Sequence, residues 1–132
     1  MKKALFFALC GMCITSGYAQ KQYSLTSPDG NLKTTIMTGD TLSYDILYKD
    51  VQVMHRSPAY VTLENGDVWG IKSKVRKVKE REVREVVASP FYRSAEIEDH
   101  YNEIVLEFDK KWKAEFRMYN DGIAYRFVNE NS

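Results

Sequence analysis

The sequence contains none of the short motifs that mark common catalytic and nucleotide-binding sites. The Gly-x-Ser-x-Gly elbow, the Walker loop, the His-Glu-x-x-His helix and the dinucleotide fingerprint are all absent. Cysteine is scarce as well, since Cys10 and Cys13 are the only two and both lie near the start. The residues alone therefore predict no catalytic residue and no metal site, and their pattern is informative about architecture instead.

The first 19 residues have the features of a secretory signal peptide. Two lysines precede an apolar run that extends to about Ile14, and small residues follow at Gly17 and Ala19. The run is too short to cross a bilayer, which takes about 20 apolar residues. We predict a signal peptide over residues 1–19 and a secreted, periplasmic protein without membrane attachment after cleavage. Cleavage would remove both cysteines, so the mature chain would have no disulfide.

The predicted mature chain, residues 20–132, is 113 residues long. That length fits one domain but not a (β/α) barrel, which needs roughly 250 residues. Without Lys2 and Lys3, 17 basic side chains remain against 18 acidic ones. No strong field of either sign is therefore present to recruit nucleic acid or anionic lipid.

Short segments rich in β-branched and aromatic residues alternate with turn signals, which predicts an all-β, antiparallel fold. A two-residue loop at Lys49-Asp50 would place Tyr48 opposite Val51 and Ile46 opposite Val53. Those apolar side chains would then share one half-buried face of a hairpin.

The segment from 71 to 87 allows two interpretations. Its valines keep a helical spacing that fits an amphipathic helix. Its many lysines and arginines also suit a long, charged edge strand with a bulge, because charge on an edge discourages pairing with other sheets. We favour the strand.

Two hairpins are predicted near the end of the chain. In the first, a loop at 109–111 pairs Phe108 with Trp112, Glu107 with Lys113 and Glu103 with Arg117. Its two strands then follow a regular alternation of apolar and polar residues.

The second hairpin contains Asp121-Gly122, a pair that favours a two-residue type I′ loop. That loop would place Phe116 opposite Phe127 and Arg126 opposite Arg117.

This arrangement separates an apolar face from a charged face. The predicted core face consists of Ile104, Leu106, Phe108, Trp112, Ala114, Phe116, Met118, Ile123, Tyr125 and Phe127. On the opposite face, Glu103 would bridge Arg117 and Arg126, because two directly opposed arginines repel each other. We favour this structural triad over a ligand-binding role for Arg126.

Two further patterns are weaker indications of a site. A row of possible metal ligands alternates along one segment: Glu96, Glu98, His100 and Asn102. Calcium usually takes six to eight oxygen ligands, several of them from a loop, so we do not predict a complete metal site there. Trp69 and Tyr92 could stack on sugar rings, although packing in the core is the favoured interpretation of both.

Three motifs resemble the N-terminal domain of glycoside hydrolase family 97. They are SPDGNLKTTI near the start of the mature chain, DHYNEIVLEF in the middle and FRMYNDGIAYRF near the end, and they occur in the family's order. The resemblance covers nearly all of residues 20–132. It implies an antiparallel β-sandwich of the galactose-mutarotase-like supersandwich type, incomplete in this chain, that precedes a catalytic barrel in the family.

The resemblance also implies a function. The family comprises secreted α-glucosidases and α-galactosidases, with the catalytic carboxylates on the barrel and calcium near the active site. This chain would be the N-terminal part of such an enzyme. It would be associated with an α-glucoside or α-galactoside through the parent enzyme, and would lack the barrel, a cofactor and activity of its own. The alternative is a stand-alone periplasmic module that binds carbohydrate or protein.

The candidate binding residues are those that match the second and third motifs: Asp99, His100, Tyr101, Asn102, Glu103 and Arg126. No catalytic residue of the family can be assigned to this chain. Asp121 and Gly122 also match the third motif, but we expect them to form the turn. Glu103 is expected to serve the fold by satisfying arginines across the sheet.

Overall fold

A computed structural model describes residues 19–90 and 96–131, which form strands and no helix. The strands are β1 (Lys21–Thr26), β2 (Leu32–Thr41), β3 (Ser43–Tyr48), β4 (Val51–Pro58), β5 (Val61–Thr62), β6 (Val68–Trp69), β7 (Ile71–Ser73), β8 (Val75–Ala88), β9 (Glu96–Phe108), β10 (Trp112–Met118) and β11 (Ile123–Asn129). The described part of the chain thus has no helix that could cross a membrane. The predicted signal peptide, up to residue 18, and Tyr92 lie outside the described residues.

The described strands form two main sheets and one small one. The first sheet has the order β1-β2-β3-β4, with β7 also paired to β2, and the second has the order β11-β10-β9-β8. Strands β5 and β6 make the small sheet, and all pairs are antiparallel. The predicted all-β, antiparallel fold is confirmed.

The core lies between the two main sheets. Every predicted core side chain of β9 and β10 is at most 1% exposed, namely Ile104, Leu106, Phe108, Trp112, Ala114, Phe116 and Met118. Trp69 stacks on Trp112 with the ring centroids 5.7 Å apart, which confirms that it packs in the core. On β11, Ile123 and Phe127 are only partly buried and Tyr125 is 41% exposed. The core is therefore centred on β9 and β10 and thins toward β11.

The sheets are offset sideways, so an edge strand at each side extends past the core. Strand β3 lies over β11, because the ring of Tyr44 contacts Tyr125 at 5.4 Å. Strand β1 lies beside β9, because Asn102 Nδ2 donates to the Thr26 carbonyl at 2.7 Å. Strands β4 and β8 are the outermost strands on opposite sides. Val51 of β4 and Val86 of β8 are accordingly each 64% exposed.

The β3–β4 hairpin confirms one part of its predicted pairing and corrects another. Lys49 and Asp50 have φ of 46° and 65°, and Tyr48 lies opposite Val51, as expected for the two-residue loop. Ile46 lies opposite Met54 instead of Val53, because a β-bulge shifts the register. The predicted half-buried face is wrong at this end, since the hairpin extends beyond the opposing sheet.

The segment from 71 to 87 is extended, as favoured, and forms β7 and most of β8. Strand β8 is an edge strand, and its register with β9 shifts between Val75 and Lys77. The predicted charged edge strand with a bulge is therefore confirmed.

The first predicted hairpin of the meander is confirmed. Lys113 lies opposite Glu107 and Arg117 opposite Glu103, with the loop at 109–111. Lys111 closes that loop in the left-handed region, with φ of 59°.

The predicted Asp121-Gly122 loop is wrong by one residue. The loop is Asn120-Asp121, and the Tyr119 N–H donates to the Gly122 carbonyl at 2.8 Å. Phe116 therefore lies opposite Tyr125 rather than Phe127. Asn120 is held in the loop because its Oδ1 accepts a hydrogen bond from the Asp29 N–H at 2.9 Å. This contact comes from a turn 91 residues away in sequence, so the local pattern could not reveal it.

The corrected loop predicts that Gly122→Ala is tolerated. Gly122 does not have a positive φ, and an added Cβ would meet nothing within 4 Å. We expect the free energy of unfolding to stay unchanged or to rise by up to about 1 kcal/mol, because alanine restricts the unfolded chain. Urea unfolding measures this. A loss of more than about 1 kcal/mol would support a left-handed Gly122, as the type I′ loop requires.

Candidate functional site

The candidate residues of β9 do not form a single site. Side chains of a strand point alternately to its two faces. Asp99, Tyr101 and Glu103 therefore lie on the outer face of the second sheet, whereas His100 and Asn102 lie on the inner side. The motif that appeared as one cluster in the sequence thus supplies two separate groups.

Glu103 is the centre of the outer group. Its side chain is almost completely buried, and each of its oxygens accepts one guanidinium hydrogen bond. Arg81 Nε lies 2.6 Å from Oε1, and Arg117 Nε lies 2.7 Å from Oε2. The three residues are neighbours across β8, β9 and β10, because Glu103 lies directly opposite both arginines in the sheet register. A carboxylate with two arginines is therefore fixed by strand pairing alone.

This geometry changes the protonation of Glu103. Burial raises the pKa of its carboxyl group, but the hydrogen bonds and charges of Arg81 and Arg117 outweigh burial and hold the pKa below its ordinary value. The hydrogen bond to Glu103 in turn raises the pKa of Arg117 above its ordinary range. All three groups are therefore charged at neutral pH.

Tyr101 extends this cluster toward the loop end of the sheet. The Arg117 guanidinium lies over its ring, 4.5 Å from the centroid, and the Tyr119 ring lies 5.2 Å away. Burial raises the pKa of the Tyr101 hydroxyl. The residue is 3% exposed and acts as a packed support for Arg117.

The predicted triad of Glu103, Arg117 and Arg126 is wrong in one member. Arg126 lies opposite Glu115 on β10, and its Nε is 2.6 Å from Glu115 Oε2. The second arginine that pairs with Glu103 is Arg81 of β8 instead of Arg126. The corrected loop explains the change, because shifting it by one residue moves each partner of β11 by two positions. Arg126 nevertheless lies on the outer face, as predicted.

Sequence reasoning missed two residues of this surface, Arg81 and Glu115. Glu115 is buried between strands and also lies 3.3 Å from Lys113 Nζ. Both could have been found by pairing the extended segment 75–88 with β9 and by testing a neighbouring loop register.

A small cavity of about 140 Å³ lies on the outer face beside these ion pairs. Its lining residues are Glu115, Arg117, Tyr119, Ala124, Tyr125 and Arg126. Two guanidinium groups, a carboxylate and a phenol converge there around the small Ala124. A few convergent polar groups beside an aromatic ring can hold a small polar ligand.

Of the inner group, Asn102 lines a groove between β1 and β8. His100 Nε2 lies 2.7 Å from Glu82 Oε1, and Arg84 Nε lies 2.6 Å from Glu98 Oε1. The predicted row of metal ligands is thus engaged with β8 at Glu98 and His100. Among residues 19–90 and 96–131, no group of three or more His, Cys, Asp or Glu side chains is placed to hold a metal ion. The calcium implied by the resemblance therefore does not fit this part of the chain, and we assign it no ligand among the described residues.

The Glycosyl-hydrolase 97 N-terminal family matches residues 25–132. The chain belongs to this family. A curated relative, the retaining alpha-galactosidase of Bacteroides thetaiotaomicron (strain ATCC 29148 / VPI-5482), is 53% identical over 130 residues. The match covers 98% of this chain and 20% of the relative. The family assigned from three sequence motifs is confirmed, and the chain spans about a fifth of the relative's length.

Parts of two solved structures share the fold of this chain. A glycoside hydrolase family 97 enzyme from Pseudoalteromonas sp. strain K8, in complex with acarbose, matches with a TM-score of 0.71 and 23% identity. The match covers 81% of this chain and 17% of that one. A beta-arabinopyranosidase matches with the same TM-score and 18% identity, over 81% of this chain and 18% of that one. At these identities the likeness establishes the fold.

Proposed function

We propose that this family 97 domain forms the N-terminal β-sandwich of a secreted α-glycosidase that acts on α-galactosides. The observation that carries the proposal is the 53% identity to a retaining alpha-galactosidase over almost the whole chain. α-Glucosides are the second substrate class, since the resemblance implies both activities for the family. Export is supported by the apolar, lysine-led segment before Gln20.

In this proposal the domain supports catalysis without performing it. Among the described residues, Glu103 forms ion pairs with Arg81 and Arg117. Its carboxylate is buried and accepts a hydrogen bond from each arginine. A carboxylate held in that way is a poor general acid or base, because its pKa lies below the ordinary value and far from neutral pH. The resemblance to family 97 implies that the catalytic carboxylates lie on the barrel of the enzyme.

A chimera tests the proposal. The matched 130 residues of the Bacteroides thetaiotaomicron relative are replaced by the corresponding residues of this chain, and turnover of nitrophenyl α-galactoside and α-glucoside is measured. We expect the chimera to hydrolyse the galactoside preferentially, whereas the chain alone hydrolyses neither. The relative without those 130 residues is the control for any contribution of the domain.

Two results would contradict the proposal. One is a folded chimera without activity. The other is turnover by the chain alone that a single carboxylate substitution within it abolishes.

The cavity beside Arg117, Tyr119 and Arg126 favours a second candidate, a stand-alone carbohydrate-binding module. Calorimetric titration of the chain with methyl α-galactoside distinguishes the two. Binding by the chain alone, together with an inactive chimera, would favour the module.

A further inference from the structure

The turn between β5 and β6 contains the one asparagine of the sequence that is followed by glycine, Asn65-Gly66. Asparagine is among the thermolabile residues. Glycine has no Cβ, so a neighbouring side chain can approach its backbone nitrogen closely. The Gly66 nitrogen can therefore attack the side-chain amide of Asn65, and the geometry of the turn decides when it does.

The backbone of this turn is closed by two hydrogen bonds. The Leu63 N–H donates to the Asp67 carbonyl at 2.8 Å, and the Gly66 N–H donates to the Leu63 carbonyl at 2.9 Å. Gly66 lies in the left-handed region, with φ of 88°. A left-handed glycine at the end of a three-residue loop is common in hairpins. The nitrogen that would attack is thus held against Leu63.

The side chain of Asn65 is held as well, by Asp67. Its Oδ1 accepts a hydrogen bond from the Asp67 N–H at 3.0 Å, and its Nδ2 donates to Asp67 Oδ2 at 2.9 Å. Asparagine often bonds the backbone two residues further on in this way. To react, Asn65 must leave both contacts and Gly66 must leave Leu63. All four hydrogen bonds join residues within 63–67, so this restraint needs no other part of the protein.

We propose that Asn65 is a deamidation site that the closed turn protects, and that it reacts when the β5–β6 hairpin opens. In the open turn the Gly66 nitrogen bonds to Asn65 Cγ, and the bond from Cγ to Nδ2 breaks. The proton of the Gly66 nitrogen leaves with Nδ2 as ammonia, and a cyclic imide remains. Water then adds to either carbonyl of the imide and gives aspartate or isoaspartate.

The reaction makes the opening irreversible. In aspartate a carboxylate oxygen replaces Nδ2, so the donor to Asp67 is lost and two negative charges adjoin. Isoaspartate routes the main chain through the side-chain Cβ, which lengthens the loop and displaces the Gly66 N–H from the Leu63 carbonyl. An opening that closes faster than it reacts is modified in proportion to its population. The rate at Asn65 therefore measures the stability of this hairpin.

Peptide mass spectrometry of the full chain, incubated in buffer and in guanidinium chloride, tests the proposal. We expect Asn65 to deamidate at least about tenfold more slowly in buffer, because the hairpin is closed there. The ratio of the two rates is the readout, since it removes the effect of a substitution on the intrinsic chemistry. Asp67→Ala removes the acceptor of Asn65 Nδ2 and is expected to bring the ratio several-fold closer to one. Asp67→Asn keeps an acceptor at that position and is the matched control.

Circular dichroism establishes that each variant is folded in buffer. Gly66→Ala should slow the reaction in guanidinium chloride, because the added Cβ hinders the attacking nitrogen. Equal rates for the wild-type chain in buffer and in guanidinium chloride would overturn the protection by the turn. No reaction at Asn65 in guanidinium chloride would overturn the site itself. An unchanged ratio in Asp67→Ala would overturn the role of the Asn65–Asp67 contacts. None of these results depends on glycosidase activity.

Discussion

Replacing Gly70 by alanine is expected to lower the free energy of unfolding by about 3–5 kcal/mol. Gly70 has φ of 96°, and an added Cβ would lie 2.3 Å from the Ala59 carbonyl oxygen and 2.9 Å from Tyr60 Cα. Both are backbone atoms, so relief requires the segment to shift. The Gly70 carbonyl also accepts the Leu42 N–H at 2.6 Å, and a shift would weaken that bond. Left-handed strain costs roughly 1–2 kcal/mol and overpacking roughly 1–3 kcal/mol, and the two act together here.

Gly66→Ala is the matched control. Gly66 also has a positive φ, 88°, but an added Cβ would meet nothing within 4 Å. We expect a loss of about 1 kcal/mol from the backbone conformation alone. Urea unfolding can be followed by tryptophan fluorescence, because Trp69 and Trp112 stack in the core. Equal losses for the two variants would show that the close approach of Gly70 to Ala59 contributes nothing.

The alternation of apolar and polar residues was sufficient to predict the core face of β9 and β10. An apolar side chain on the wrong face of a strand would be exposed, so the pattern constrains which side each residue takes. The pattern cannot detect a register shift of two residues, because such a shift returns every side chain to the same face. The predicted loop at Asp121 therefore left the core face of β10 correct while it assigned Arg126 the wrong partner.

Burial of the hairpin tips could not be predicted, because it depends on how the two sheets are offset. Tyr48 and Val51 pair as expected, but among the described strands the second sheet extends only to β11 and leaves them exposed. Nothing in the local sequence of a strand reports where the opposite sheet stops. The bulge that brings Met54 opposite Ile46 is likewise not marked by a distinctive residue in the sequence.

Only part of the candidate site was predicted correctly, although the sequence pattern already implies that its residues divide between two faces of a strand. Asp99 to Glu103 lie on one strand, and the period of two must send His100 and Asn102 to the side opposite Tyr101. The pairing of Glu103 with Arg117 followed from a short hairpin and was correct. The second partner of Glu103 is Arg81, which lies 22 positions away in the sequence. Predicting this contact required the pairing of β8 with β9. That pairing could not be predicted while the segment could be either a helix or a strand.

Replacing Glu103 by glutamine is expected to lower the free energy of unfolding by about 2–3 kcal/mol at pH 7. Breaking a fully buried ion pair from one side costs roughly 3–5 kcal/mol. The cost is smaller here, because the side chains of Arg81 and Arg117 are 59% and 29% exposed and water can solvate them. Glu98→Gln is the matched control. Its carboxylate pairs with Arg84 but is 51% exposed, so we expect a loss below about 1 kcal/mol.

The difference between the wild-type chain and Glu103→Gln should also depend on pH. Arg81 and Arg117 outweigh the effect of burial and depress the pKa of Glu103 below its ordinary value of 4.5. The stabilisation from this carboxylate is therefore complete above about pH 4.5 and is lost as the pH falls through the folded-state pKa.

Urea unfolding of both proteins between pH 3 and pH 7 measures the gap between their free energies of unfolding. Other carboxylates titrate in both proteins and cancel in the comparison. We expect the gap to be constant near neutral pH and to narrow in acid. A gap that stays constant down to pH 3, or widens there, would show that Glu103 stabilises the fold by packing and not by its charge.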